Sequence, residues 1–180
     1  NYVTMWTMHS GTLVQSKKGF TIIELIIVVA ILGILSTLIL IQIDPIRRLN
    51  EAHNATRWSD VLLVLEITKE YQADNDSAVP GTAIAIDSDE SSVQIIGESV
   101  TNCVCASQTV VTSPCGVSGL DTDLRPYIDA MPMDPITGST NDTRYFINKD
   151  SYGLITVGSC DAESEGSGGN GTPPNISITR

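Results

Sequence analysis

The sequence predicts an α+β protein: a long N-terminal helix, transmembrane in its first half, whose second half packs on a small antiparallel β-sheet domain. Three observations predict it. Residues 20–43 are an apolar run with one ionisable side chain, residues 46–74 carry helical periodicity, and beyond Pro80 the chain turns to short β-prone stretches, turn residues and four cysteines.

In the apolar run the only charge is Glu24, and seventeen of the residues are Phe, Ile, Leu or Val. As a helix the run is roughly 36 Å long, enough for a bilayer core of about 30 Å. At about −0.3 to −0.6 kcal/mol each, those side chains favour insertion by roughly 5 to 10 kcal/mol. A mid-membrane carboxylate costs only about 2.5 to 3.5 kcal/mol, and Glu24 lies near one end, so insertion wins. A secretory signal peptide has a shorter apolar core and a small-residue cleavage site after it. An ordinary signal anchor fits the length but leaves Glu24 without a reason, and a buried soluble helix is rarely apolar on every face for so long. Lys17 and Lys18 before the run balance Arg47 and Arg48 after it, so charge alone does not orient it. The cysteines place the C-terminal side outside.

Gly33 sits in the middle of the run, where it weakens the helix by about 1 kcal/mol relative to Ala and permits close approach of another helix. Asp44-Pro45 then predicts a kink or local break. From Ile46 to about Asp74 the pattern is amphipathic. Trp58, Val61, Leu62 and Leu65 mark one stripe, and Leu63, Ile67 and Tyr71 a second, with Arg57, Asp60, Lys69 and Glu70 as charged interruptions. Two stripes suit a helix with its own domain on one side and neighbouring molecules on the other. Asp74-Asn75-Asp76-Ser77 and Pro80-Gly81 end it.

Short strands are predicted at residues 83–86, 92–96 and 109–112. Residues 143–147 and 153–157 read as a hairpin joined by 148–152, after a turn-rich linker at 131–135. Residues 161–174 are rich in Gly, Ser and acids and predict a flexible tail, beyond which Ile176 and Ile178 offer an edge strand or remain loose. The expected division is a basic leader at 1–19, a membrane-spanning helix at 20–43, its amphipathic continuation at 44–79, a β-rich cysteine-bearing domain at 80–160, and a flexible acidic tail at 161–180. The sequence opens on Asn1, with Met5 and Met8 as candidate starts.

The formal net charge of −11 argues against general nucleic-acid affinity, which needs basic residues to displace counterions. Cys103, Cys105, Cys115 and Cys160 all follow the apolar run, and an even number there predicts disulfides in an oxidising compartment. Cys103 and Cys105 are too close to bridge each other, so each is expected to pair with Cys115 or Cys160, in an order the spacing leaves open.

No constellation points to catalysis, so the protein reads as a non-enzyme without a cofactor. His9 and His53 lack a nucleophile or ligand at useful spacing, and the cysteines do not form paired CxxC motifs. Asp87, Asp89 and Glu90 are acidic enough to attract calcium but lack the glycine of an EF-hand loop, and read first as a solvated turn.

The stretch Lys17-Lys18-Gly19-Phe20-Thr21-Ile22-Ile23-Glu24-Leu25 resembles the processing site of type IV prepilins and pseudopilins, with Ile22 where Leu is commoner. That resemblance implies a pilin fold, cleavage between Gly19 and Phe20 by a prepilin peptidase, and methylation of the new Phe20 amine. It also implies that Glu24 attracts the Phe20 amine of a neighbouring subunit during assembly. The run Pro132, Asp134-Pro135, Gly138, Tyr145 is similar to a loop-and-strand region of major pseudopilins and related bacterial pilins. The function so implied is a structural subunit of a type IV pilus, held in the cytoplasmic membrane and then built into a homopolymeric surface filament. The implied partners are the peptidase, an assembly ATPase and a membrane platform protein. The alternatives are a pseudopilin of a type II secretion or DNA-uptake system, and an uncleaved membrane-anchored binding domain.

Overall fold

A computed structural model describes residues 19–80, 92–106, 108–111 and 114–180 of the chain, in two compact units, residues 1–42 and 43–180. The expected strand at 83–86 and the acidic turn at Asp87, Asp89 and Glu90 lie outside the described residues, as does the basic leader through Lys18. The elements are α1 (Ile22–Ile43), α2 (Pro45–Asp74), β1 (Gln94–Ile96), β2 (Gly116–Val117), α3 (Leu120–Leu124), β3 (Tyr145–Lys149), β4 (Ile155–Ser159) and β5 (Ser177–Thr179). A long apolar N-terminal helix and a small five-stranded sheet make this an α+β chain.

The break at Asp44-Pro45 has a local cause. Asp44 adopts a left-handed φ of 45° and its carboxylate accepts from the Arg47 N–H at 3.3 Å, so it caps a new helix. Pro45 occupies the first turn of that helix, where a missing N–H costs nothing.

The sheet order is β2-β1-β3-β4-β5. Three of the four pairings are antiparallel, including the expected hairpin of β3 and β4. The fourth departs from an all-antiparallel sheet: β1 and β2 run parallel, with Ile95 opposite Gly116. A parallel pair needs a long crossover, supplied here by the cysteine-bearing stretch between them. Of the expected strand at 109–112, the described part contributes only a single bridge, Val110 to Val93.

Strand alternation puts the sheet between two apolar layers. Ile96, Tyr145, Ile147, Ile155 and Val157 join Val61, Val64, Leu65 and Ile67 of α2 in the larger core, with Leu120, Leu124 and Ile176. On the opposite face Ile95 and Phe146 pack with Val93, Cys105 and Cys160. Gly158 lies opposite Phe146 in the ladder, and a Cβ there would run into the Phe146 ring and the Ile176 carbonyl.

The α2 stripes differ from the expected ones. The buried face is Asn50, Asn54, Arg57, Val61, Val64, Leu65, Ile67 and Thr68, whereas Trp58, Leu62 and Leu63 are exposed. Periodicity counted only apolar residues, so it missed that Asn50, Asn54 and Arg57 continue the buried face toward the start of the helix.

The tail also departs from expectation. Residues 160–171 are not loose but lie along the first turns of α2. Asn50 Nδ2 donates to the Ser164 carbonyl at 2.7 Å, Asn54 Nδ2 to the Glu163 carbonyl at 2.7 Å, and the Gly168 N–H to Asp44 Oδ2 at 2.8 Å. Composition correctly says that such a strap cannot bury much apolar surface; polar partners on α2 and the Cys105–Cys160 bridge hold it instead. Beyond it, Ile176 is fully buried and β5 pairs with β4 as an edge strand.

Candidate functional site: the exposed apolar helix and its capped N-terminus

Of the residues singled out at the start of the apolar run, Glu24 lies in the first turn of α1, and Gly19 and Phe20 lie just before the helix. Gly19 is exposed, and Phe20 is 85% exposed. Thr21 caps the helix: its Oγ1 accepts from the Glu24 N–H at 3.3 Å. Thr21-Ile22-Ile23-Glu24 has the spacing of a capping box, in which a hydroxyl and a carboxylate three residues apart satisfy the first-turn N–H groups. Glu24 thus stands in the first turn, where its negative charge faces the positive end of the helix dipole.

The rest of α1 suits an apolar environment. Residues 22–39 have a mean hydropathy of 2.9, and this is the one helix among the described residues long and apolar enough to cross a membrane. Its hydroxyls are satisfied internally, Ser36 Oγ donating to the Leu32 carbonyl at 2.7 Å and Thr37 Oγ1 to the Gly33 carbonyl at 3.0 Å. Hydrocarbon has no water to offer, so such back-bonding is what an intramembrane Ser or Thr requires. Glu24 is the remaining polar side chain of the first turn. At Gly33 a Cβ would meet nothing within 4 Å, leaving a shallow notch in the apolar surface.

A family model described as the prokaryotic N-terminal methylation motif matches residues 15–40. The chain carries the type IV pilin and pseudopilin signal. No curated protein and no solved structure matches the chain. The motif supports a type IV pilin-like or pseudopilin protein. It implies processing by a prepilin peptidase and polymerisation in general, and with the apolar α1 it suggests membrane anchoring followed by surface assembly. The motif is one of structural, pilin-type proteins.

The chain has a second polar centre within residues 43–180, which periodicity alone did not reveal. Arg57 is 1% exposed. Its Nε and Nη2 reach the two oxygens of Asp134 at 2.6 and 3.2 Å, and its Nη1 reaches Asn54 Oδ1 and Glu163 Oε2, both at 2.9 Å. Asp134 Oδ1 also accepts from the Ile136 and Thr137 N–H groups at 3.0 Å. Burial works against the charge of both partners, but the hydrogen bonds outweigh it: Asp134 is held below the usual carboxylate range and Arg57 above its ordinary value.

Nearby, Arg144 grips Asp161 through Nε at 2.7 Å and Nη2 at 2.8 Å, and donates to the carbonyls of Asn102 and Val104. Burial pushes Asp161 up, and the Arg144 guanidinium more than reverses it. Thr137 Oγ1, 2.7 Å from Asp161 and 3.1 Å from Asp134, links the two pairs. Two guanidinium groups therefore hold three carboxylates, Asp134 from a loop and Asp161 and Glu163 from the strap. The sequence signals were present: Asp134-Pro135 is a turn dipeptide, and Arg57 falls three residues after Asn54 and four before Val61 on one helix face.

The cysteines pair as Cys103–Cys115 and Cys105–Cys160, within the set of pairings the spacing allowed. The second bridge fastens the start of the strap to the cysteine loop. His53 Nδ1 lies 2.8 Å from Glu163 Oε2, a further contact between α2 and the strap. Among the described residues no group of three or more His, Cys, Asp or Glu is arranged to hold a metal ion.

Proposed function

We propose that the chain is a precursor cut between Gly19 and Phe20, and that the mature subunit polymerises through α1 into a type IV pilus. The observation that supports this reading is the coincidence of the methylation motif with an exposed, internally satisfied apolar helix. Cleavage frees the Phe20 amine one turn of helix from Glu24. In a bundle of apolar helices a lone carboxylate needs a cation, because neither lipid nor Leu can solvate it. The amine of a neighbouring Phe20 meets that need at one axial stagger, so the pair sets the register of the filament. Exposed Trp58, Leu62 and Leu63 on α2 supply further apolar surface for neighbours. Moving α1 from lipid to a helix bundle exchanges one apolar environment for another, so extraction carries a modest net cost.

The subunits wait in the cytoplasmic membrane and are raised into the filament by an assembly ATPase and a platform protein. A pseudopilin of a type II secretion or DNA-uptake system is the second reading, supported by the buried Asp134 turn in the stretch similar to major pseudopilins. Glu24→Ala tests the register: insertion into membranes should persist while filaments in sheared surface material disappear. Normal filaments from that variant would remove the role of Glu24.

A further inference from the structure

Five of the nine asparagines of the chain open an Asn-x-Ser/Thr tripeptide with x other than Pro: Asn54, Asn75, Asn141, Asn170 and Asn175. Ser and Thr are one fifth of the residues, so chance alone would give about two. The structure sorts the five. Asn54 is buried in α2, and both hydrogens of its amide are used, on the Glu163 carbonyl and on Glu165 Oε1. At Asn141 the hydroxyl two residues on is buried, Thr143 Oγ1 donating to the Ile96 carbonyl at 2.8 Å. At Asn175 the middle residue, Ile176, is fully buried in the core.

Asn75-Asp76-Ser77 and Asn170-Gly171-Thr172 are exposed throughout. Asp76 sets a carboxylate at the centre of the first, which repels an anionic glycosyl donor. The second has no charge and follows Gly168 and Gly169, with Gly171 at φ 107°. The Asn170 amide is held only by an exposed hydrogen bond from Nδ2 to the Ser167 carbonyl at 3.1 Å.

We infer that Asn170 is an N-glycosylation site of the exported domain. The co-substrate is a glycan carried on a lipid diphosphate. Asn170 Nδ2 attacks the anomeric carbon, a C–N bond forms as the C–O bond to the diphosphate breaks, the lipid diphosphate leaves with the electron pair, and Nδ2 gives one proton to a base of the transferase. The glycan would stand on the outer side of the strap. The inference rests on export of residues 43–180, and that is read separately from the peptide that begins at Phe20.

The test is peptide mass spectrometry of reduced, alkylated protein from its native host, against the same chain made in a host without such a transferase. Residues 150–180 form one tryptic peptide bearing Asn170 and Asn175, so fragment ions must localise the modification. A saccharide increment on Asn170, lost in N170Q and in T172V with no change in melting temperature, is expected. An unmodified Asn170 in protein whose Phe20 N-terminus shows processing would overturn the site and leave the pilin reading intact. An increment confined to Asn175, surviving N170Q, would overturn it as well.

Discussion

Arg57 on α2 and Asp134 on the loop before β3 form a two-point ion pair with both side chains almost wholly out of solvent. The pair ties the helix to a loop 77 residues away, and Glu163 extends it to the strap. Removing Asp134 leaves the buried Arg57 charge with Glu163 as its one remaining carboxylate partner, and removing Arg57 leaves Asp134 buried without a cation, a loss of about 3 to 5 kcal/mol. Asp134→Ala should therefore lower the melting temperature of the domain by roughly 10 to 20 °C. The double variant Arg57→Met, Asp134→Ala should lose clearly less than the sum of the singles, measured in a thermal double-mutant cycle. Additive losses would mean that the two side chains act independently.

The same network sets the response to acid. Asp134 and Asp161 have folded-state pKa values below their ordinary value of 3.8, chiefly through Arg57 and Arg144 acting against burial. Their contribution is complete above the unfolded value and is lost as pH falls through the lowered folded values. Asp60 works in the opposite sense. Burial raises its pKa, the hydrogen bond it accepts from Tyr145 at 2.7 Å only partly offsets this, and its ionisation above the unfolded value costs stability. Thermal unfolding from pH 6 to pH 2 should show the melting temperature falling below about pH 4. Asp60→Asn should raise the melting temperature at neutral pH and leave the acid fall in place.

The two disulfides should not contribute equally. Cys105–Cys160 closes 55 residues and Cys103–Cys115 closes 12. Chain entropy assigns these loops about 4 and about 3 kcal/mol. Cys105 and Cys160 also lie in the apolar layer with Phe146 and Ile95, and Cys160 begins the strap. Replacing that pair with Ser should destabilise the domain more than replacing Cys103 and Cys115, read from urea unfolding midpoints. The reverse order would show that the strap depends on its polar contacts alone.

Gly158→Ala offers a local probe of the sheet. The added methyl meets the Phe146 ring on one side and the Ile176 carbonyl on the other, and the carbonyl cannot swing away without breaking the β4–β5 pairing. A loss of about 1 to 3 kcal/mol is expected, as for other overpacked cores. Phe146→Leu in the same chain should recover part of it, because the smaller side chain vacates the ring edge.

What the sequence revealed followed from period and composition. The apolar run at 20–43 is unbroken, so α1 was plain, and Asp44-Pro45 marked its end to the residue. The β-prone stretches at 143–147 and 153–157 made the hairpin visible, two residues ahead of its observed strands at Tyr145–Lys149 and Ile155–Ser159. Arg57 was read as an interruption because a charged side chain ordinarily seeks water. Only Asp134, 77 residues on, explains why it turns inward, and nothing local to Arg57 names that partner. The strap at 160–171 misled for a related reason. Gly, Ser and Glu lack the apolar surface to order themselves, but Asn50, Asn54 and Arg57 supply hydrogen bonds from another element. The parallel β1–β2 pair went unforeseen because two residues, Gly116 and Val117, carry no periodicity. The proposed N-terminal sites are contiguous in the chain and so could be named from sequence, whereas the arginine centre is assembled from four separate segments.

The central claim is that residues 20–43 become the free N-terminal rod of a polymerising subunit. Mass determination of the N-terminal peptide from native cell envelopes tests it most directly. A chain beginning at Phe20 with a methylated amine is the predicted result. A full-length chain that retains Lys17-Lys18-Gly19 and carries no methyl group would contradict it.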